Sequence, residues 1–306
     1  MIAASTFDSA LATAGTEVAQ TRVFAAERNG GSRCPVVMFA DRLTDIQMQA
    51  LARQFALDTV FVLKPQTALA DIRLRYFVPE HEMGISAHAT IAAITVSLAK
   101  KLLRSEHATI ETCSGLFRVT SLQNKDGFLI TLEQNSAAFG QKVPADHVAR
   151  ALNIAIDEIA SDESPIQVVS VSRAKLIIPL KNWTTLNGVM PDFGEVWRLC
   201  DRLRVSGLYP FTRQTNKSNV NAEARQFPLR AGFSEDPATG VAAGALGAYL
   251  AMYDLHCQPG PHEFRIAQGY AMGVPSLIEA IAECTNGVVT RTAIRGMARI
   301  LRYEWV

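Results

Sequence analysis

The stretch from Gly232 to Leu250 limits what this chain can become more than any other. It reads Gly-Phe-Ser-Glu-Asp-Pro-Ala-Thr-Gly, then Val-Ala-Ala-Gly-Ala-Leu-Gly-Ala-Tyr-Leu. Ser234, Asp236 and Thr239 are cap residues, and Pro237 with the acids suits a first turn, so a helix is expected to open here. Small residues on every face predict a helix packed on all sides. The start of such a helix offers unpaired N–H groups and a positive dipole end, a natural seat for a carboxylate. Asp236 stands where that ligand would arrive. A buried, capped helix with no ligand would read the same way.

The first half of the chain leads into a similar segment. Residues 1–18 read as an N-terminal extension. Strands are expected at Ala19–Ala25 and Pro35–Phe39, joined by a turn at Asn29-Gly30-Gly31. Asp41–Phe55 has helical spacing, with Thr44 and Gln47 placed as a capping box and Met48, Leu51, Ala52 and Phe55 as the apolar stripe. Strands follow at Thr59–Leu63 and Ile72–Phe77. The loop Pro79–Ser86 then enters a small-residue helix, Ala87–Leu103. Ala108–Thr112, Phe117–Ser121 and Phe128–Leu132 read as strands.

The second half repeats the order. Strands are expected at Gln167–Val171, Lys175–Pro179, Gly207–Thr212 and Arg225–Leu229, with a helix over Asp192–Val205. After the Gly232 segment come strands at Glu263–Ala267, Ser276–Ala282 and Val288–Gly296. Phe77 precedes Ala89-Thr90-Ile91-Ala92-Ala93, and Phe227 precedes Ala238-Thr239-Gly240-Val241-Ala242-Ala243. Thr90 lies 13 residues beyond Phe77, and Thr239 lies 12 beyond Phe227. A duplicated unit of about 130 residues accounts for this order and is too long for a solenoid repeat. The expected domains are a first lobe over 19–130, with the 290–306 strand returning to it, and a second lobe over 131–289. If the lobes face each other, both helix starts point into one crevice, a favoured place for a small ligand.

Composition narrows the partners. With 306 residues, 48% hydrophobic and 19% charged, the chain can bury two ordinary cores. Its net charge of +1 gives no electrostatic case for nucleic acid or an anionic membrane. No apolar run reaches membrane-spanning length. Five scattered cysteines, Cys34, Cys113, Cys200, Cys257 and Cys284, lack CxxC spacing. No disulfide framework or zinc site is expected from them, and a reducing cytoplasm fits. The first twenty residues do not resemble a signal peptide.

Two segments together carry a family resemblance: Glu82-Met83-Gly84-Ile85-Ser86-Ala87-His88-Ala89-Thr90 and Glu235-Asp236-Pro237-Ala238-Thr239-Gly240. Arg225-Gln226-Phe227-Pro228, Glu111-Thr112 with Gly115, and Gln268-Gly269 with Gly273 and Pro275-Ser276 agree with them. From about residue 19 onward the chain resembles the phenazine-biosynthesis PhzF-like isomerases, of the diaminopimelate epimerase-like fold. The resemblance implies an α+β fold of two pseudo-symmetric lobes, each a mostly antiparallel, barrel-like sheet around a central helix. It implies a cofactor-independent isomerase, without a metal, acting on a small carboxylate-bearing substrate, often as a homodimer. The family's acid before its Thr-x-Phe-Val strand falls on Asp58, one methylene shorter than the usual Glu, which withdraws the carboxylate by roughly 1.5 Å.

The resemblance makes Asp58, His88 and Asp236 the catalytic candidates, and Ser86, Ala87, Thr239, Gly240 and Val241 the substrate-binding ones. Asp58 would exchange a proton with carbon, or else cap the entry to its strand. His88 would donate to a substrate oxygen, or else be a satisfied core residue. Asp236 would hold a polar substrate group, or else cap the turn at Thr239. Ser86 reads chiefly as a helix cap. Ala87, Val241 and Val274 depart from the family's Gly, small polar residue and Arg. They point to a different substrate, or to a protein that binds a small carboxylate without turnover. An amino-acid epimerase is the third reading, disfavoured because no pair of cysteines flanks the two helix starts.

Overall fold

The computed structural model describes residues 15–162 and 164–306. Of the expected extension, residues 1–14 lie outside the described residues, and Glu17 and Val18 already belong to the first strand. The chain divides into two units. One comprises residues 33–130 with both chain ends, up to Val23 and from Met297; the other comprises Phe24–Ser32 and Thr131–Gly296.

In the first unit the elements run β1 (Glu17–Val23), β2 (Ser32–Val37), α1 (Asp45–Phe55), β3 (Thr59–Leu63), β4 (Ile72–Phe77), β5 (Glu82–Met83), α2 (Ala87–Ala99), β6 (His107–Thr112) and β7 (Gly115–Asn124). The strand β8 (Gly127–Gln134) carries the chain out of this unit, and β17 (Val288–Trp305) brings it back. There β17 lies antiparallel to β1, with Glu17 opposite Trp305 and Val23 opposite Ala298. Thr44 and Gln47 form the expected capping box, but α1 starts at Asp45 rather than Asp41. A short 3-10 turn, Ala40–Arg42, takes up the residues before it. The stripe of Met48, Leu51 and Ala52 is buried against Phe61 and Phe77. Helix α2 ends at Ala99, four residues sooner than expected, and every residue from Ala87 to Ser97 is buried. It packs against β1, β3 and β4.

The second unit contains β9 (Ala138–Lys142), α3 (Ala145–Leu152), β10 (Gln167–Ser170), β11 (Ala174–Pro179), α4 (Trp183–Gly188), α5 (Phe193–Leu203), β12 (Gly207–Thr212), β13 (Ala222–Ala224), β14 (Phe227–Pro228), α6 (Gly240–Tyr253), β15 (Gly260–Gln268) and β16 (Ser276–Thr285). The expected strand Arg225–Leu229 is a correction: β13 and β14 are separate pieces, both paired to β12. Helix α6 is buried from Gly240 to Ala251 and packs against β10, β11, β15 and β16. Its small residues are there for close approach. A Cβ at Gly247 would stand 2.8 Å from Ala280 Cβ, and one at Gly244 would stand 2.1 Å from Gln134 Oε1.

The strand pairings carry the duplication further than the sequence echo did. In the first unit β2 is parallel to β3, β3 antiparallel to β4, β4 parallel to β6, and β6 antiparallel to β7. In the second, β11 is parallel to β12, β12 antiparallel to β13, β13 parallel to β15, and β15 antiparallel to β16. The register differs from the one the sequence suggested. The N-cap positions are Ser86 and Thr239, so Ser86 corresponds to Thr239 and Thr90 to Ala243. The Ala-Thr match was displaced by about one helical turn.

The cysteine expectation is overturned in one respect. Cys257, just past α6, forms a disulfide with Cys284 at the end of β16, its Cα 5.4 Å away. The pairing removes the ground on which a reducing compartment was expected. Among the described residues no helix is long and apolar enough to cross a membrane.

Candidate active-site residues

Asp58 leads into β3, a strand whose next four residues are fully or nearly fully buried. That position carries its carboxylate into the unit, where 8% of the residue remains exposed. Ser86, 28 residues later, occupies the N-cap of α2 by backbone conformation but does not cap it. Its Oγ instead donates to Asp58 Oδ2 at 2.9 Å. His88 Nε2 lies 3.1 Å from the same oxygen, an ion pair when the ring is doubly protonated. Ser86 Oγ and His88 Nδ1 are 3.5 Å apart. The other carboxylate oxygen, Oδ1, is buried and has no hydrogen-bond partner among the described residues. A buried acceptor left open costs about 1–3 kcal/mol, so it marks a place where a donor is wanted. Neither the strand cap expected of Asp58 nor the helix cap expected of Ser86 is what these side chains do.

The charge on Asp58 is felt around it. Burial pushes the Cys34 thiol well above its usual range, and Asp58 pushes it further. Burial likewise raises Tyr76, whose hydroxyl lies 2.7 Å from Thr90 Oγ1. Thr90 Oγ1 donates in turn to the Ser86 carbonyl at 2.8 Å, which fixes the first turn of α2. Thr90 N–H is the first amide of this helix to find an intrahelical acceptor, Ser86 O. The N–H groups of Ala87 and Ala89, earlier in that turn, have no acceptor within the helix itself.

The second unit builds its acid differently. Asp236 and Pro237 lie in the loop before α6, not in its first turn as expected. Thr239 is the N-cap residue, and its side chain also leaves the cap empty, donating from Oγ1 to Asp236 Oδ2 at 2.6 Å. Ala238 N–H donates to Asp236 Oδ1 at 3.2 Å, so both oxygens are held locally. Gln268, from β15, locks this turn. Its Nε2 donates to the Asp236 carbonyl at 2.6 Å, and its Oε1 accepts from Thr239 N–H and from Tyr209 Oη. Thr239 N–H thus already has an acceptor in Gln268 Oε1, at 3.2 Å. Gly240 and Val241, the first residues of α6, keep first-turn N–H groups. Arg225 makes two bonds to Glu235, at 2.9 and 2.7 Å, and donates to the carbonyls of Leu186, Asn187 and Val189.

The structure thus brings Asp58, Ser86, Ala87 and His88 together within the first unit. Within the second it brings together Asp236, Thr239, Gly240 and Val241. The locking roles of Gln268 and of the Arg225–Glu235 pair were not foreseen, although both segments bear on the family resemblance. Among the described residues, no group of three or more His, Cys, Asp or Glu is placed to hold a metal ion. The three free cysteines, Cys34, Cys113 and Cys200, all have thiols pushed up chiefly by burial, Cys200 to about 12.

The fold is shared with solved proteins of known class. It matches the crystal structure of the Bacillus anthracis phenazine biosynthesis protein of the PhzF family with a TM-score of 0.87 and 25% identity, over 96% of this chain and 99% of that one. At 12% identity and a TM-score of 0.65 it also matches a hydroxyproline epimerase from Agrobacterium vitis, over 97% of this chain and 93% of that one. That likeness is one of fold alone. The family model for phenazine biosynthesis-like proteins matches residues 21–303, and the chain belongs to that family. Its relatives include the uncharacterized isomerase YddE of Escherichia coli K12, 31% identical, with 94% of this chain and 98% of YddE covered.

Proposed function

We propose that the protein is an isomerase that moves a carbon-bound proton on a small carboxylate-bearing molecule, such as a cyclic amino or hydroxy acid, without a cofactor or metal. Asp58 exchanges the proton. His88 polarises and reprotonates the substrate, and the first-turn amides of Ala87 and Ala89 hold its negative charge; in the second unit Asp236 and the amides of Gly240 and Val241 offer the same chemical means. The observation that carries this reading is the Asp58 carboxylate. One oxygen is fixed by Ser86 beside His88, and the other is buried and open. That is how a general base is oriented and kept free for a proton. The raised thiols of the free cysteines support a carboxylate mechanism over a two-thiol epimerase, because the thiolate is the reactive form. The reading carries with it a homodimer, checked by light scattering, and activity that survives dialysis against a chelator.

The test is incubation with cyclic amino and hydroxy acids in heavy water, followed by mass spectrometry and NMR. Deuterium enters one carbon position of the true substrate, and Asp58→Ala abolishes the uptake. No uptake by any member of the panel would sink the reading. The depth of Asp58 supports a second reading, in which the shortened acid no longer reaches its target and the protein binds a small carboxylate without turnover. Calorimetric binding with no product favours that reading, and recovery of exchange in Asp58→Glu would show what was lost.

A further inference from the structure

The first unit carries a second feature that the chemistry above does not use. A groove of about 600 Å³ opens among Met38, Phe39, Arg42, Leu43, Lys64 and Trp305, within the usual size of a small-molecule site. None of the candidate catalytic residues lines it. The backbone along its wall is already paired. Thr16 and Val306 exchange N–H···O bonds at 2.8 and 3.1 Å, and Met38 N–H donates to Glu17 O at 2.9 Å. These residues offer a ligand side chains rather than an open strand edge.

Two of those side chains are large aromatics left in solvent: Phe39 is 57% exposed and Trp305 71%. A ring so exposed contributes little to the core. Phe39 nevertheless holds its backbone at φ 54°, in the left-handed region that suits glycine. Glycine would sit there with less strain, and the ring at the groove is what it would forfeit.

Two other side chains are cations. Lys64 N–H donates to Asp41 Oδ1 at 2.9 Å, which sets Lys64 beside the Asp41–Arg42 turn. Arg42 and Lys64 are both exposed, and neither has an acidic side-chain partner among the described residues. The other acid of the groove, Glu17, is matched by Lys100 at 2.7 Å. Aromatic faces beside unmatched cations suit a ligand with an aromatic body and a negative head. The rings stack on the body, and the cations donate to the head.

We propose that this groove binds a small aromatic anion, a carboxylate or sulfonate, at a site separate from the candidate catalytic residues. Phe39 and Trp305 hold the ligand's rings, and Arg42 and Lys64 hold its charge. Turnover at Asp58 is not needed for this binding.

The test is a fluorescence titration of the full chain with anilinonaphthalene sulfonate, an aromatic anion, and with phenylnaphthylamine, its neutral analogue. The sulfonate should saturate a single site per chain. Arg42→Gln and Lys64→Gln should each weaken it about threefold, and the double variant about tenfold, while the neutral probe feels neither change. Phe39→Gly should weaken both probes about fivefold without lowering stability, because glycine fits that backbone. Asp58→Ala should leave both unchanged. A double variant that binds the sulfonate as well as the parent does, or loses both probes alike, overturns the proposal. So does loss of sulfonate binding in Asp58→Ala, which would put the probe among the candidate catalytic residues. Binding that appears only once residues 1–14 are removed gives the groove to the chain's own start. Binding that weakens as the protein is concentrated gives it to a second copy. Either outcome also overturns the proposal, and none of these readouts depends on deuterium uptake.

Discussion

The starts of α2 and α6 solve the same problem with opposite emphasis. Each helix begins at a hydroxyl residue, Ser86 or Thr239, whose side chain gives up capping to donate to an aspartate. In the first unit the aspartate comes from 28 residues upstream, arrives on a strand, is buried, and has one oxygen with no hydrogen-bond partner among the described residues. In the second it comes from three residues upstream, is only partly buried, and has both oxygens tied to its own turn. A carboxylate held by distant chain can be left open to a ligand. One held by its neighbours is used first to shape the backbone. The difference teaches which acid has an oxygen with no hydrogen-bond partner among the described residues, and it is the ground on which Asp58 is proposed as the base.

The sharpest way to break that contrast is Asp58→Ala. If Asp58 is the base, exchange falls by about 10²–10⁴-fold, while calorimetry still detects ligand. Asp236→Asn should cost less in turnover than Asp58→Ala. An equal loss from both would erase the distinction. Next in size is stability. Ser86→Ala removes the hydroxyl donor to a buried acid and leaves that oxygen to His88, and should cost about 1–3 kcal/mol in urea melts. Thr239→Ala leaves Asp236 with Ala238 N–H and partial solvent, and should cost about 1 kcal/mol or less.

The far ends of the two helices extend the comparison. Beyond α2, Lys100 pairs with Glu17 at 2.7 Å; beyond α6, Cys257 is bonded to Cys284 across a separation of 27 residues. Reduction should lower stability by about 2–4 kcal/mol. Lys100→Met should cost about 1 kcal/mol or less, because the pair is partly solvated. The smallest effect is at Glu82, just before α2. Hydrogen bonding to Arg75 holds its carboxyl below the usual range. A depressed carboxyl stabilises the fold above its unfolded value and loses that contribution as pH falls through the folded one. Arg75→Leu should therefore flatten the acid side of the stability curve and leave the neutral side little changed in slope.

Local order was legible where short-range rules act alone. The strands Thr59–Leu63, Ile72–Phe77 and Gly207–Thr212 have the expected limits because turn residues or a helix end flank them. The Thr44–Gln47 box was readable for the same reason. What escaped was decided at long range. Thr90 and Thr239 look equivalent in sequence, yet the corresponding N-cap is Ser86, because helix starts are set by where strands deliver the chain. Asp58 and Ser86 meet only once β3 and α2 are packed. The disulfide joins cysteines with no spacing signature. Helix α3 was missed although Val148, Ala149, Ala151 and Leu152 form its buried face, since eight residues give too little periodicity to stand out.

The way the chain passes between its two units has a consequence for anyone trying to take them apart. One unit draws on both ends of the polypeptide, and the other includes the Phe24–Ser32 excursion near the start. No single scission can release either as a continuous fragment. A truncation meant to dissect the aspartates would injure both, so their separate contributions must be sought with point substitutions in the intact molecule.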